Sequence, residues 1–328
     1  MSDYDVYGIG HALVDMELEV DDAFLQRMGL TKGTMTLVDQ ARQEELLDAL
    51  AGREAKRSCG GSGANTLIGL AQFGGRAFHS FKVAGDEPGA FYARDMAANG
   101  VDNRPGPPGS GVTGRCLVLI TPDAERTMCT HLGISEQFAV ADLSPPHLAR
   151  AEYLYVEGYL VSSPVTLAAA RAALALARER GIKTALTFSD TSMIRFFREG
   201  MESLVAGGLD LIFCNEGEAL AFSGADTLEE AQRFLTRKAQ GVAITLGGRG
   251  AWVHDGREGI TVAGTPVKPV DTNGAGDLFA GAFLHGITHG RSFAAAAALG
   301  NRAAARLVTQ FGARLAPGQA AELLAAGA

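Results

Sequence analysis

The 328-residue chain is 47% hydrophobic and carries a formal net charge of −8, so it can bury a sizeable core, and no basic cluster favours nucleic acid or an anionic membrane surface. Its apolar runs are shorter than the roughly 18 residues that a transmembrane helix needs, and its N-terminal sequence lacks the pattern of a secretory signal. The four cysteines are scattered without a Cys-x-x-Cys pair, which predicts reduced thiols in a cytoplasmic protein and argues against a zinc site.

The N-terminal part of the chain has the pattern of a β-rich region interrupted by helices. Residues 13–20 alternate apolar with acidic side chains, as in a strand with one solvated face. A turn-like segment, TPDAE at 121–125, separates two apolar stretches and predicts a hairpin of 112–120 with 126–131. The other predicted elements here are strands at 4–9 and 35–38 and helices at 40–51, 64–73 and 89–99.

From about residue 150 onward, short apolar runs alternate with helical patterns. This alternation predicts a parallel sheet covered by helices, in which ligands bind beyond the carboxyl ends of the strands. The predicted strands are 153–156, 184–188, 209–214 and 242–246, and the predicted helices are 165–180, 193–203, 216–222, 228–238 and the alanine-rich 293–308.

Together these elements predict one large α/β domain over residues 1–328 with a small additional β-sheet. The small sheet is expected from two separate inserts, about 11–38 and 109–133. Because a two-piece sheet with a solvated face seldom stands alone, we expect it to form a lid over a cleft.

The most informative motif is DTNGAGDLFAGAFLHGI, residues 271–287. Its glycine-rich turn precedes an apolar stretch without proline over 277–289, which predicts a buried helix. Free N–H groups and the helix dipole make such a turn an anion site, but a carboxylate in the first turn repels a resting anion. The combination makes sense if Asp277 takes a proton from a nucleophile while the turn stabilises the group under attack, as in phosphoryl transfer to an alcohol. The alternative is a tight turn in which Asp277 only complements the helix dipole.

A second glycine turn, CGGSGANT at 59–66, also precedes a helical stretch. Gly60 and Gly61 permit close approach of a ligand, and Asn65 can hydrogen-bond a hydroxyl, so the pattern indicates a polyol site. The alternative is a tight turn with Asn65 in the first helical turn.

The string D-T-N-G-A-G-D-x-F resembles the C-terminal signature of the ribokinase/PfkB family of carbohydrate and nucleoside kinases, and CGGSGANT resembles the family's N-terminal glycine motif. Three further stretches, GIGHALVD at 8–15, TPDAERTM at 121–128 and YVEGYL at 155–160, look like the adenosine-kinase-like branch. The resemblance covers essentially the whole chain. It implies a ribokinase-like three-layer fold, with a mostly parallel central sheet covered by helices and a small β-sheet lid, and it implies an ATP-dependent kinase.

The resemblance assigns the catalytic role to the first motif. Asp277 would be the general base. The turn formed by Gly274, Ala275 and Gly276 would supply N–H groups to the transferred phosphoryl group.

The resemblance also assigns an acceptor site. Asp15 would hold two adjacent hydroxyls, and the residues around it would be Gly60, Gly61 and Asn65. His11 stands where the branch usually has asparagine. Its ring is expected to alter which base or sugar is accepted, or else His11 is a structural residue at a strand end.

ATP and Mg²⁺ are the cofactors that the resemblance implies. In the family an N-x-x-E segment organises Mg²⁺ and phosphate through water, and Asn215 and Glu218 match it. Many members also bind a monovalent cation such as K⁺ near the segment matching 271–273, a point that stays open for this chain. Asn301 matches a position near the adenine, although it could also be a solvent-facing helical residue. The residues matched to ATP-binding positions are Asn215, Thr245, Gly247, Gly250 and Asn301.

The resulting functional prediction is ATP-dependent phosphorylation of a hydroxymethyl group, with the 5′-hydroxyl of adenosine or a related purine nucleoside as first choice. A sugar or sugar-phosphate kinase of the same family is the alternative, for which Arg115 and Arg126 are candidate lid residues. A catalytically idle ligand-binding regulator is a further alternative. The chain has no G-x-x-x-x-G-K-[ST] string, so it is not a P-loop enzyme. We expect a small-molecule nucleoside or sugar as partner, neither nucleic acid nor membrane, and a monomer or a homodimer.

Overall fold

A nine-stranded sheet forms the centre of the molecule. The computed structural model describes residues 2–105, 109–123 and 125–326. Seven neighbouring strands are parallel, and two strands at one edge are antiparallel. In order across the sheet, the strands are β14 (Gly259–Ala263), β13 (Gly250–His254), β12 (Ala239–Thr245), β11 (Leu209–Asn215), β10 (Lys183–Thr187), β9 (Ala151–Val156), β1 (Tyr4–Ile9), β5 (Ala77–Ser80) and β6 (Val101–Asn103).

Helices cover both faces of this sheet, so the domain has three layers. Successive side chains of a strand point to opposite faces: Leu154 and Val156 pack into one apolar core, and Tyr153 and Tyr155 pack into the other. The first layer contains α5 (Pro145–Leu148), α6 (Pro164–Glu179), α7 (Thr191–Phe196), α8 (Arg198–Val205), α9 (Glu216–Ser223) and α10 (Leu228–Leu235). The second contains α3 (Ser62–Gln72), α4 (Glu87–Ala98), α11 (Ala275–Thr288) and α12 (Phe293–Leu307), with α13 (Gln319–Ala325) packed against α12. This arrangement confirms the predicted α/β class with a mostly parallel sheet covered by helices.

A second, five-stranded sheet lies beside the first. Its strands, in order, are β3 (Met35–Leu37), β8 (Arg126–Gly133), β7 (Thr113–Ile120), β2 (Leu13–Glu19) and β4 (Lys56–Gly60). Apolar side chains on one face pack against α1 (Asp22–Arg27) and α2 (Gln40–Ala49). The other face carries Asp15 and borders a cavity. Strand β4 lies between the two predicted inserts and was not expected in this sheet, and Ala124 of the predicted turn lies outside the described residues.

The predicted helix over 193–203 is wrong in one respect, because the structure divides it into α7 and α8. Phe197 separates the two helices at φ −127° and ψ 36°, which is not a helical conformation. Its ring packs against the core beneath the first helical layer. Tertiary packing of Phe197 therefore overrides a local sequence that has neither proline nor glycine at the break. None of the described helices is long and apolar enough to cross a membrane.

Candidate active site

The glycine-rich turn at 271–277 begins helix α11 in a left-handed conformation. Gly274 is the N-cap at φ 72°, and a Cβ there would lie 2.6 Å from the Cβ of Ala313, so conformation and space both favour glycine. A Cβ on Gly276 would instead meet no atom within 4 Å, because Gly276 faces an open cleft. The first N–H groups of a helix have no intrahelical partners, and in this turn they lie beside space that an anion could fill.

Asp277 is the point where the two glycine turns meet. The hydroxyl of Ser62 donates to Asp277 Oδ1 at 2.6 Å, and Asn65 Nδ2 donates to Asp277 Oδ2 at 3.4 Å. Burial raises the pKa of Asp277 to about 6, and the hydrogen bonds from Ser62 and Asn65 oppose this rise. The carboxylate is therefore largely ionised at neutral pH, fixed in direction, and suited to accept a proton.

Asp277 lines a cavity of about 380 Å³ between the second sheet and the carboxyl ends of the central strands. Asp15 enters this cavity from β2, and Val118 and Met128 enter it from β7 and β8. Asp15 and most residues predicted from the two glycine turns and from the N-x-x-E segment line the same cavity. These residues are Asp15, Gly61, Asn65, Asn215, Glu218, Gly274, Ala275, Gly276 and Asp277.

The carboxylate of Asp15 lies directly against the backbone of Gly60. A Cβ on Gly60 would overlap this carboxylate, so glycine is needed there to make room. Gly60 itself does not line the cavity. Burial raises the pKa of Asp15 to about 7, and the positive charges of Arg314 and Arg126 oppose this rise. Asp15 is thus a carboxylate in the cavity wall with two cations near it.

His11 supports the cavity from behind and does not line it. Its side chain is only 2% exposed, and Nδ1 lies 3.0 Å from the hydroxyl of Ser135. Burial lowers the pKa of His11 to about 4, so the ring is neutral at neutral pH. This placement favours the structural role that the sequence left open for His11.

Glu157 is a buried carboxylate that the sequence alone did not single out as a site residue. It is 1% exposed and accepts hydrogen bonds from the backbone N–H groups of Gly63 at 2.7 Å and His11 at 3.3 Å. It thereby links the end of β1 to the first turn of α3, the helix that carries Ser62 and Asn65. The available signal was an acidic residue directly after an apolar strand, in YVEGYL.

Replacing Glu157 by glutamine should flatten the pH dependence of stability. Burial raises the pKa of Glu157 from 4.5 to about 8, so the folded state binds the extra proton between these values and the free energy of unfolding falls as the pH rises through that range. Without the Glu157 carboxyl, the free energy of unfolding should change less steeply with pH, by at most about 1.4 kcal/mol per pH unit. Urea unfolding of the parent and of Glu157→Gln across this pH range measures the two slopes, with the exposed Glu179→Gln as control. Identical slopes for the parent and Glu157→Gln would refute a buried titrating Glu157.

Asn215 and Glu218 form a reciprocal cap at the start of α9. Asn215 N donates to Glu218 Oε2 at 3.0 Å, and Glu218 N donates to Asn215 Oδ1 at 2.8 Å. Burial raises the pKa of Glu218 to about 7, with further contributions from Asp190 and Asp277. A divalent cation here would offset these crowded carboxylates. Within the described ranges, no group of three or more His, Cys, Asp or Glu side chains could hold a metal directly, so such a cation would keep much of its water shell.

A second cavity of about 530 Å³ adjoins the first, and Ala275 and Gly276 line both. Its described walls are glycines, prolines, threonines and apolar side chains, with Asn301 and no charged residue. Asn301 lines it, but Asn301 Nδ2 donates to the carbonyls of Val262 at 3.0 Å and Ala263 at 3.1 Å. Asn301 is thus not solvent-facing, and it anchors the end of β14. The predicted ATP residues that line this cavity are Thr245, Gly247, Gly250 and Asn301, whereas Asn215 lines only the first cavity.

An ion pair ties the second sheet to the glycine-rich turn. Arg126 Nη2 lies 3.2 Å from Asp271 Oδ2 and 3.3 Å from Glu17 Oε1. The Nε and Nη1 atoms of Arg126 are buried and have no hydrogen-bond partner in the described part of the chain. Arg115, the other candidate lid arginine, borders a separate cavity of about 230 Å³ with Arg57. Of the two, only Arg126 is linked to the turn at 271–277.

The chain is similar to known kinases over most of its length. The sequence profile of the family described as pfkB family carbohydrate kinase matches residues 33–319. A solved adenosine kinase from Sinorhizobium meliloti is 36% identical, with a TM-score of 0.88, and the match covers 98% of this chain and 99% of that one. A solved probable sugar kinase from Rhizobium etli is 34% identical, with a TM-score of 0.90, covering 100% and 99% of the two chains. Ribokinase from Haemophilus influenzae is 26% identical over 81% of this chain and 86% of its own length.

Proposed function

The chain belongs to the pfkB family of carbohydrate kinases and is a phosphotransferase with an alcohol group as acceptor, and we propose that it transfers the γ-phosphoryl group of ATP to a hydroxymethyl group of a nucleoside. The first choice is the 5′-hydroxyl of adenosine or a related purine nucleoside. The observation that carries this proposal is the position of Asp277, in the wall of one cavity and next to Gly276, which lines both.

In this proposal the smaller cavity holds the acceptor and the larger one holds ATP. Asp277 removes the proton of the acceptor hydroxyl while that oxygen attacks the γ-phosphorus. The bond between the γ-phosphorus and the bridging oxygen breaks, and ADP leaves. Ser62 and Asn65 hold the carboxylate of Asp277 in the direction that this transfer requires.

The N–H groups of the turn formed by Gly274, Ala275 and Gly276 stabilise the charge on the transferred group. They are fixed before the reaction, because the left-handed Gly274 and its contact with Ala313 set the course of the backbone. Asn215 and Glu218 would hold Mg²⁺ through water, and the ion would offset phosphate charge. The second sheet acts as a lid that excludes water, which otherwise competes as acceptor.

At the other end of the acceptor cavity, Asp15 binds the two adjacent hydroxyls of a ribose. Apolar side chains line the wall between the lid and the sheet, among them Leu13, Val118, Met128 and Phe213. A purine base placed against this lining would remove apolar surface from water, and each Å² removed is worth about 25 cal/mol. A free sugar has no base to bury there. The likeness to an adenosine kinase and the TPDAERTM and YVEGYL motifs support the same acceptor class.

An acceptor screen tests the choice of substrate. Adenosine or a close purine nucleoside should give the highest kcat/KM with ATP, and free ribose should give a much lower one, since a base that fills the cavity stabilises lid closure. The measurement is ADP release with a panel of nucleosides, ribose, fructose and hexose phosphates. A hexose or a sugar phosphate that outperforms every nucleoside would overturn the nucleoside proposal and leave the kinase assignment intact.

A further inference from the structure

The segment that follows helix α12 contacts both glycine turns. Gly312 N donates to Asp271 Oδ2 at 2.8 Å, and Ala313 packs against Gly274. Further along, the carbonyl of Leu315 accepts a hydrogen bond from Gln72 of α3 at 2.9 Å. This segment therefore runs from the turn at 271–277 to the helix that follows the turn at 59–66.

Arg314, in the middle of this segment, contacts Cys59, the residue before Gly60. Its Nη1 lies 3.3 Å from Asp95 Oδ2, and its Nη2 contacts the carbonyl oxygen of Cys59 and lies 3.1 Å from Cys59 Sγ. Asp95 Oδ2 also accepts the backbone N–H of Cys59 at 2.8 Å. Both backbone polar groups of Cys59 are thus fixed by the Arg314–Asp95 pair, and the Arg314 side chain is only 19% exposed.

The position of Cys59 matters because Gly60 follows it directly, and the Asp15 carboxylate packs against the backbone of Gly60. Four charged groups act on Asp15. Arg314 and Arg126 favour its ionised form, whereas Glu17 and Asp277 disfavour it. Of these four groups, Arg314 has the largest effect on the pKa of Asp15.

We propose that Arg314 is a positioning residue for acceptor binding, which holds the Cys59–Gly60 backbone against the carboxylate of Asp15. This inference rests on the proposed role of Asp15 in binding the acceptor hydroxyls. Arg314 touches neither cavity, so it acts through Asp15 and not on the substrates directly.

The test compares Arg314→Met and Arg314→Lys with the parent and with Arg306→Met, an exposed arginine on α12 that serves as the matched control. Arg314→Met should raise the acceptor KM about tenfold or more, as expected for the loss of charge-assisted interactions, with the ATP KM within about twofold of the parent. The acid limb of kcat/KM for the acceptor should move to higher pH, because loss of the positive charge makes Asp15 harder to ionise. Arg314→Lys keeps the charge, so its acid limb should stay near that of the parent while the acceptor KM rises less.

An Arg314→Met variant with the parent's acceptor KM and acid limb would overturn the inference, as would equal increases in the acceptor and ATP KM values. If Arg314→Met does not fold, as judged by circular dichroism, Arg314→Lys decides. An acid limb of Arg314→Lys that lies at higher pH than the limb of the parent would count against the electrostatic role, and a parental limb with a raised acceptor KM supports the proposal. Failure of the proposed function is a separate outcome, because the parent would then phosphorylate no alcohol at all.

Discussion

Replacing Asp277 by asparagine should lower kcat about 10²–10⁴-fold while ATP still binds. Asparagine keeps the size of the side chain and one acceptor oxygen for the hydrogen bonds from Ser62 and Asn65, but its amide cannot take a proton. The measurement is steady-state ADP release at saturating acceptor, with ATP affinity from calorimetry. The parent should also show an acid limb in kcat, because Asp277 must be ionised in the substrate complex to accept the proton, and the residual activity of the variant should lack this limb.

The control is Asp226→Asn, which removes an exposed carboxylate elsewhere on the surface. It should leave kcat unchanged. Near-parental turnover in Asp277→Asn would show that Asp277 is a charge at the start of a helix and not the base.

Replacing Asp15 by alanine should raise the acceptor KM roughly 10- to 150-fold and leave ATP affinity little changed. The lost charge-assisted hydrogen bonds are worth about 1.5–3 kcal/mol. Asp15 lines the smaller cavity and is absent from the larger one, so its loss should weaken one substrate selectively. Initial rates measured over a grid of acceptor and ATP concentrations separate the two KM values.

Glu19→Ala is the matched control, because Glu19 is an exposed acid on the same strand. Its KM values should equal those of the parent. If Asp15→Ala weakens both substrates equally, Asp15 serves folding and not acceptor binding.

Five of the nine strands of the central sheet were predicted, because parallel strands buried on both faces read as short apolar runs. These five are β1, β9, β10, β11 and β12. Strand β4 was not predictable, because its sequence, KRSCG, has neither alternation nor an apolar run. It is a strand because its backbone pairs with β2, whose Asp15 lies opposite Ser58. Such long-range pairing leaves no trace in local sequence.

The two glycine turns and Asp277 were predictable from the sequence, since each combines small residues with a polar group at a helix start. The proximity of the two turns in the folded chain was not predictable, because Asp277 lies 215 positions from Ser62 and 212 positions from Asn65 in the sequence. The roles of Glu157 and Arg314 were not predictable for a related reason. Both act by holding backbone groups of distant segments, and no local pattern distinguishes them from ordinary charged residues.

The most direct test of the account is to identify the phosphorylated product. Purified protein is incubated with ATP, Mg²⁺ and adenosine, and the products are analysed by ³¹P NMR and mass spectrometry, with Asp277→Asn as the matched control. The account predicts a phosphate monoester on the 5′-hydroxyl, formed together with ADP by the parent and almost absent with the variant. Release of inorganic phosphate alone, or equal ester formation by both proteins, would contradict phosphoryl transfer to an alcohol with Asp277 as base.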